Sequence, residues 1–552
     1  MTPDQLARLR GEAARVRLRP LRDRLAEPGR FEAWSHRLGP LLVDFSRQWI
    51  DDAALDALGT MLAALDWERR RDAMFRGDPI NGSERRAVLH TALRAHRAHC
   101  AAMAPPAVLE SVADAWRGIA RLVDAVFDGS GDCGVPPGIE DVVNVGIGGS
   151  DLGPRLAVEA LAGAGAGRVR SHFLANLDGT SVRTLMRTLD PRRTLILLVS
   201  KSFTTQETHL NGEALRAWMI EAYAGDAAAA SRHFVAVTAN VEAARAQGIA
   251  PERTLPIWDF VGGRYSVWSA VGLVLALAIG HRAFDEFLAG AALVDDHFRT
   301  APWRRNLPVL MALTGVWNRN ALGFPGLAVI PYCDALGNLP AFLQQLEMES
   351  LGKSVRPDGA PVGQPTVPVL WGHVGTNAQH AFFQALHQGT DTVPVDFVGV
   401  AAADHGLPDH HAALLANMLA QAAALAGGKT YEEAWAESAG SEADADARAV
   451  LAAQRTFPGN RPSTTILLES LTPTSLGALL ALYEHKVFVQ SLLWDVNAFD
   501  QWGVELGKTV ARTILPTLAA DAANDAVLDA PTRALVAAIR AARDGRWDTP
   551  PA

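Results

Sequence analysis

Residues 200–208, Ser-Lys-Ser-Phe-Thr-Thr-Gln-Glu-Thr, place five hydroxyl side chains around one ammonium. The segment follows an apolar run, Thr194–Val199, rich in strand formers, and precedes helical spacing that begins near Thr205. The start of a helix leaves backbone N–H groups unpaired and carries partial positive charge. Ser200, Lys201, Ser202, Thr204 and Thr205 add donors, so the turn through Phe203 suits a dianion such as a phosphate monoester. An ordinary cap needs only one hydroxyl. Thr204 and Glu207 also have capping-box spacing.

Other segments carry weaker chemistry. Gly146-Ile147-Gly148-Gly149-Ser150-Asp151 begins like a dinucleotide turn, but a carboxylate stands where the last glycine belongs and would repel a pyrophosphate. Gly149 and its neighbours would still let backbone amides approach a ligand, or simply close a tight turn. Residues 503–509 nearly match a phosphate-binding loop, yet Trp502 occupies the required leading glycine and no strand precedes it. Gln501, Glu505 and Lys508 are expected instead on one helical face. Gln345 and Glu349, four apart on an expected helix, pair a polyol ligand with a carboxylate able to act as a base. His380 is expected early in a helix spanning 377–388, where the dipole favours the neutral ring and proton transfer to a sugar oxygen; a structural role fits equally well. Arg264, after two glycines, could stabilise an enediolate oxygen or pair with an acid. His90, His96, His99 and Cys100 lack a second cluster at zinc spacing, so no metal is expected.

These groups need elements to hold them. At 552 residues the chain suits two domains, and 49% hydrophobic residues can fill large cores. A net charge of −9 without a long basic run argues against nucleic acid or anionic membrane as the main partner. Three dispersed cysteines exclude a disulfide framework and suit a reducing, cytoplasmic setting. No charge-free apolar run is long enough to span a bilayer, and the first residues lack a signal-type core. Residues 1–104 read as mostly helical and 107–127 as a helix. Strands are expected at 141–145, 194–199, 233–238, 254–259, 327–332, 366–371, 393–400 and 464–468, alternating with helices. That order predicts an α/β protein of two αβα sandwich domains with mainly parallel sheets. The expected parts are an N-terminal helical region (1–104), a small domain (105–290), a large domain (291–510) and a C-terminal helical arm (511–552). Residues 427–449 read as an exposed excursion. Ligands in such sheets sit beyond the carboxyl ends of the strands.

Seven ordered segments together resemble the glucose-6-phosphate isomerase (phosphoglucose isomerase) family, from near residue 66 to near 511. They are NGSERRAVLHTALR (81–94), VGIGGSDLGP (145–154), SKSFTTQET (200–208), GGRYS (262–266), QQLEMESLGK (344–353), GTNAQHAFFQALHQG (375–389) and FDQWGVELGK (499–508). The resemblance implies sugar-isomerase-type domains, a homodimer with its site at the domain junction near the partner subunit, and interconversion of glucose 6-phosphate and fructose 6-phosphate without metal or organic cofactor. It implies Glu349 as base, His380 for ring opening, Lys508 as its helper and Arg264 as enediolate stabiliser. The loop from Ser200 to Thr205, with Gly149 and Ser150, would hold the phosphate; Gln345 and Gln501 would contact ligand, and Glu207 could orient His380. Leu351 stands where the family commonly has Asn, Leu346 and Ala378 where it has Gly, and His373-Val374 where Glu-Pro is frequent. Activity on the mannose epimer and a non-catalytic phosphosugar sensor are the alternatives.

Overall fold

The computed structural model describes residues 1–97, 103–130, 132–164, 169–439, 444–519 and 528–547. The chain separates into one body that runs to Phe499 and a second that begins at Asp500. The first body contains two sheets.

The smaller sheet is wholly parallel, in the order β4-β3-β5-β6-β7. Its strands are β3 (Asp141–Val145), β4 (Arg170–Leu174), β5 (Thr194–Val199), β6 (Phe234–Thr238) and β7 (Thr254–Pro256). Every side chain of β3, β5 and β6 is buried. Val142, Leu195 and Leu197 enter one core; Val143, Ile196 and Leu198 enter another on the opposite face. Burial on both faces is why these strands read as continuous apolar runs. β4 escaped the sequence reading because Arg170, Ser171 and His172 make it polar and only Leu174 is fully buried.

The larger sheet has the order β1-β2-β11-β10-β8-β9. β8 (Gly326–Tyr332), β9 (Val369–Trp371), β10 (Val395–Ala402) and β11 (Ser463–Ser470) are parallel. β1 (Ser35–Leu38) and β2 (Leu41–Asp44) form a hairpin inside the segment expected to be mostly helical, and β2 pairs antiparallel with β11. One face of this sheet, through Val329, Val398 and Ile466, shares its core with the smaller sheet; Ala328, Ile330 and Phe397 fill a separate core on the other. The helix Pro473–Trp494 is buried along nearly its whole length and packs on the helix His281–Thr300. The expected excursion at 427–449 carries two helices, Tyr431–Glu437 and Ala445–Gln454; residues 440–443 lie outside the described chain. Among the described residues no helix is long and apolar enough to cross a membrane.

Candidate active site

In each sheet the strand order reverses beside the first strand of its parallel set. In the smaller sheet β4 lies on one side of β3 and β5 on the other. The crevice beyond such a reversal is the natural ligand position of an open parallel sheet. Its walls here are the loop after β3, 146–150, and the loop after β5, 200–205. They spring from adjacent strands: a Cβ on Gly146 would lie 3.1 Å from the carbonyl oxygen of Val199, the last residue of β5.

In the second loop the hydroxyls bond one another. Ser200 Oγ lies 3.1 Å from Thr205 Oγ1 and accepts from the Phe203 amide at 3.1 Å. Thr204 Oγ1 donates to Ser202 Oγ at 2.8 Å, and the Thr204 amide also reaches Ser202 Oγ, at 3.2 Å. Phe203 takes a left-handed φ of 60° and packs its ring on the smaller sheet's second core. Lys201 pairs with Asp259 at 3.2 Å. The following helix is Gln206–Ala222, with Thr205 as N-cap and no side-chain cap. The expected Thr204–Glu207 capping box is therefore absent. The helix starts one residue late for that register, and Ser202 holds the Thr204 hydroxyl.

The loop after β3 leads to Gln345 and to the turn that carries Arg264. Gly148 has a φ of 61°, and a Cβ there would stand 3.0 Å from Gln345 Nε2. A Cβ on Gly149 would lie 2.0 Å from the Gly263 carbonyl oxygen, so only glycine permits this approach. The contact sets Gly149 and Ser150 beside the turn that carries Arg264 (Gly263–Tyr265). Arg264 is buried. Its Nε donates to Ser350 Oγ at 2.6 Å, one Nη donates to the Ala498 carbonyl at 2.6 Å, and the other stands 3.6 Å from Glu349 Oε1. Tyr265 adds a bond between its hydroxyl and Ser350 Oγ at 3.0 Å, and burial pushes its phenol above the ordinary range.

Gln345 and Glu349 lie on a π-helical turn, Gln344–Glu349, that follows the short helix Leu339–Leu343. The sequence predicts a continuous α-helix there. Single π turns recur at functional sites because they re-aim a side chain. Glu349 is partly exposed and Ser350, next to it, is fully buried. Lys353 closes the segment by donating to the Ser350 carbonyl at 3.0 Å and the Asn497 carbonyl at 2.8 Å. Ser350, Tyr265 and Lys353 are site-shaping residues that sequence reasoning assigned no role, although all three lie in quoted segments.

His380 does not sit early in a continuous helix. The segment breaks into Gly375–Gln379 and Phe383–Gln388, and His380 is the exposed C-cap of the first piece, at φ −89° and ψ −1°. The expected helix N-terminal setting of His380 is therefore absent, and the dipole argument built on it does not apply. The His380 amide donates to the Asn377 carbonyl at 3.1 Å, while among the described residues its ring has no hydrogen bond or ion pair with any partner, Glu207 and Glu349 included. Gln501 and Lys508 belong to the second body. Gln501 precedes a 3₁₀ turn, Trp502–Val504, and the α-helix begins only at Glu505, so the expected single helical face of Gln501, Glu505 and Lys508 is not formed. Lys508 pairs with Glu505 at 2.8 Å.

Among the described residues no three His, Cys, Asp or Glu side chains group to hold a metal. His90 is buried without a hydrogen-bond partner and His96 pairs with Asp285; His99 and Cys100 lie outside the described residues.

A sequence model of the family described as phosphoglucose isomerase matches residues 44–536. The chain belongs to the phosphoglucose isomerase family. It is 48% identical over 524 residues to a glucose-6-phosphate isomerase of Burkholderia mallei (strain SAVP1), covering 95% of this chain and 94% of that one. A glucose-6-phosphate isomerase of Xanthobacter autotrophicus (strain ATCC BAA-1158 / Py2) is 50% identical over 491 residues, covering 89% of each. The crystal structure of a glucose-6-phosphate isomerase from Chlamydia trachomatis D/UW-3/Cx superposes with a TM-score of 0.79 at 35% identity, covering 93% of this chain and 95% of that one. The two-sheet α/β architecture is thus the phosphoglucose isomerase fold.

Proposed function

We propose that the chain is a glucose-6-phosphate isomerase in which Glu349 moves a proton between C1 and C2 of the sugar. The observation that carries the reading is the junction of four segments. The hydroxyl loop, the glycine turn, the buried Arg264 and the π turn of Glu349 meet at the reversal of the smaller sheet, with Arg264 3.6 Å from Glu349.

The chemistry sets the roles. The phosphate docks on Ser200, Lys201, Ser202, Thr204 and Thr205, at the uncapped start of the helix, with Gly149 and Ser150 at the same end. This remote grip supplies binding energy and fixes the register of the sugar. The closed ring must open first, and His380 with Lys508 supplies the acid–base pair. Glu349 then abstracts a proton on one face and returns it to the neighbouring carbon. Charge builds on the enediol oxygens beside Arg264, whose guanidinium is already fixed by Ser350 and Ala498. Gln345 and Gln501 contact the sugar.

The same reading places the enzyme in the cytoplasm as a homodimer. The His380 side chain is exposed, open to completion of the site by a second subunit. It divides the chain into the N-terminal region, small domain, large domain and C-terminal arm expected from the sequence. The deciding experiment is a coupled assay on glucose 6-phosphate with and without chelator, beside sedimentation of the purified protein. We expect isomerisation unaffected by EDTA and a dimer. Loss of activity with EDTA, restored by a divalent ion, would overturn the metal-free mechanism; a monomer with full activity would overturn the dimer.

A further inference from the structure

The back of the turn that carries Glu349 holds a second carboxylate. Glu347 is fully buried, and its Oε1 lies 2.6 Å from Lys486 Nζ, which is equally buried on the helix Pro473–Trp494. Two positions apart on a helical turn, Glu347 and Glu349 point to nearly opposite sides. One faces the site and the other faces the core.

The pair sits in a larger polar cluster. Lys486 Nζ lies 5.2 Å from the centroid of the Tyr483 ring, and the Tyr483 hydroxyl donates to the buried Asp396 at 3.0 Å. Asn318 donates to Gln48, and Gln48 donates to Thr464, which bonds Asp396. A small cavity lies against Glu347, Lys486, Asn318 and Gln490. Two π turns border it, Trp317–Ala321 and Gln344–Glu349. The amide oxygens of Asn318 and Gln490 are buried without hydrogen-bond partners.

A buried ion pair is a poor source of stability, because desolvation offsets much of the attraction. Its distinctive property is geometric. If the π turn relaxed into an α-helix, each side chain in it would rotate about the axis. Glu347 would leave Lys486, and two charges would stand unpaired in the core. The pair therefore admits one register of the turn, and that register aims Glu349.

We propose that Lys486 is a positioning residue for the catalytic base, acting through Glu347 to hold the π turn in register. This rests on the reading of Glu349 as the base. The test uses the full chain and five proteins: wild type, Glu349→Gln, Lys486→Arg, Glu347→Gln, and the double variant Glu347→Gln/Lys486→Met, which removes both charges at similar volume. Isomerisation of glucose 6-phosphate and exchange of the C2 proton with deuterated solvent are measured on each folded protein.

The double variant should lose at least ~10-fold in kcat with KM within ~3-fold of wild type, and exchange should fall in parallel. Lys486→Arg, which keeps the charge and changes its geometry, should lose kcat with little change in thermal unfolding. A folded double variant with wild-type kcat overturns the proposal. If the double variant does not fold, Glu347→Gln decides by the same thresholds. An active Glu349→Gln protein instead removes the base assignment; an inactive one beside a fully active double variant removes only the role of Lys486.

Discussion

In the loop after β5 the polar side chains bond mainly to one another, and Ser202 and Thr204 face solvent. Around the turn that carries Glu349, by contrast, four supporting groups are buried: Arg264 and Ser350 beside it, Glu347 and Lys486 behind it. A phosphate bound in the first region would compete mainly with bonds inside the loop, among its hydroxyls and from the Phe203 and Thr204 amides. The second is held by bonds within the protein itself. A non-reacting anchor tolerates adjustment, whereas proton transfer between adjacent carbons needs a base fixed to a fraction of an ångström.

This contrast can be broken in order of effect. Glu349→Gln should have the largest consequence, a loss of kcat toward ~10⁴-fold with phosphosugar binding within an order of magnitude. Solvent exchange at C2, followed by NMR, should vanish with it. If the folded variant exchanged at the wild-type rate, Glu349 would not be the base. Arg264→Lys comes next, at about 10²-fold in kcat/KM. A lysine cannot reproduce the fork that engages Ser350, Ala498 and Glu349 together. Steady-state kinetics should show the loss mainly in kcat; a change confined to KM would place Arg264 on the anchoring side of the comparison.

Lys201→Ala with Ser202→Ala should act chiefly on KM, by about 10-fold, with a smaller fall in kcat. An unchanged KM in the folded double variant would remove the phosphate assignment. The smallest effect concerns stability. Behind Tyr265, Glu484 is buried and bonded to Arg94 at 2.7 Å and to Trp268 at 2.7 Å. Burial pushes its carboxyl up to about 6, against the pull of Arg94. Because the folded value lies above the unfolded one, the protonated form favours the native state. That contribution is complete below pH ~4.5 and is lost as pH rises through about 6, a change of about 2 kcal/mol. Urea unfolding across this window should show wild type losing that much relative to Glu484→Gln, while Lys201→Ala/Ser202→Ala keeps the wild-type slope. Parallel curves for wild type and Glu484→Gln would mean that Glu484 stays ionised throughout.

Which parts were legible follows from burial. β3 and β5 were read to the residue because both faces are buried and the apolar run has no gap. β1, β2 and β4 were missed: β1 and β2 have four residues each, and β1 and β4 are mostly incompletely buried. The proposed site groups were readable as types at positions in seven ordered segments, yet their local backbone was not. A π turn, a helix broken at His380 and a helix beginning only at Glu505 are backbone features that side-chain spacing alone does not encode. Ser350 and Lys353 stood in plain view, but their roles depend on Arg264 and Asn497, far away in sequence.

The hairpin of β1 and β2 has a consequence for how the protein is made. Its outer partner, β11, is synthesised more than four hundred residues later, since Asp44 pairs with Thr465. At ordinary translation speed, on the order of 5–20 residues per second, the hairpin waits tens of seconds with an open hydrogen-bonding edge. A nascent chain in that state resembles an unprotected edge strand, the usual seed of misassociation. The larger sheet can close only after β11, Ser463–Ser470, has been made, so translation through that strand sets the earliest moment at which all six strands can pair.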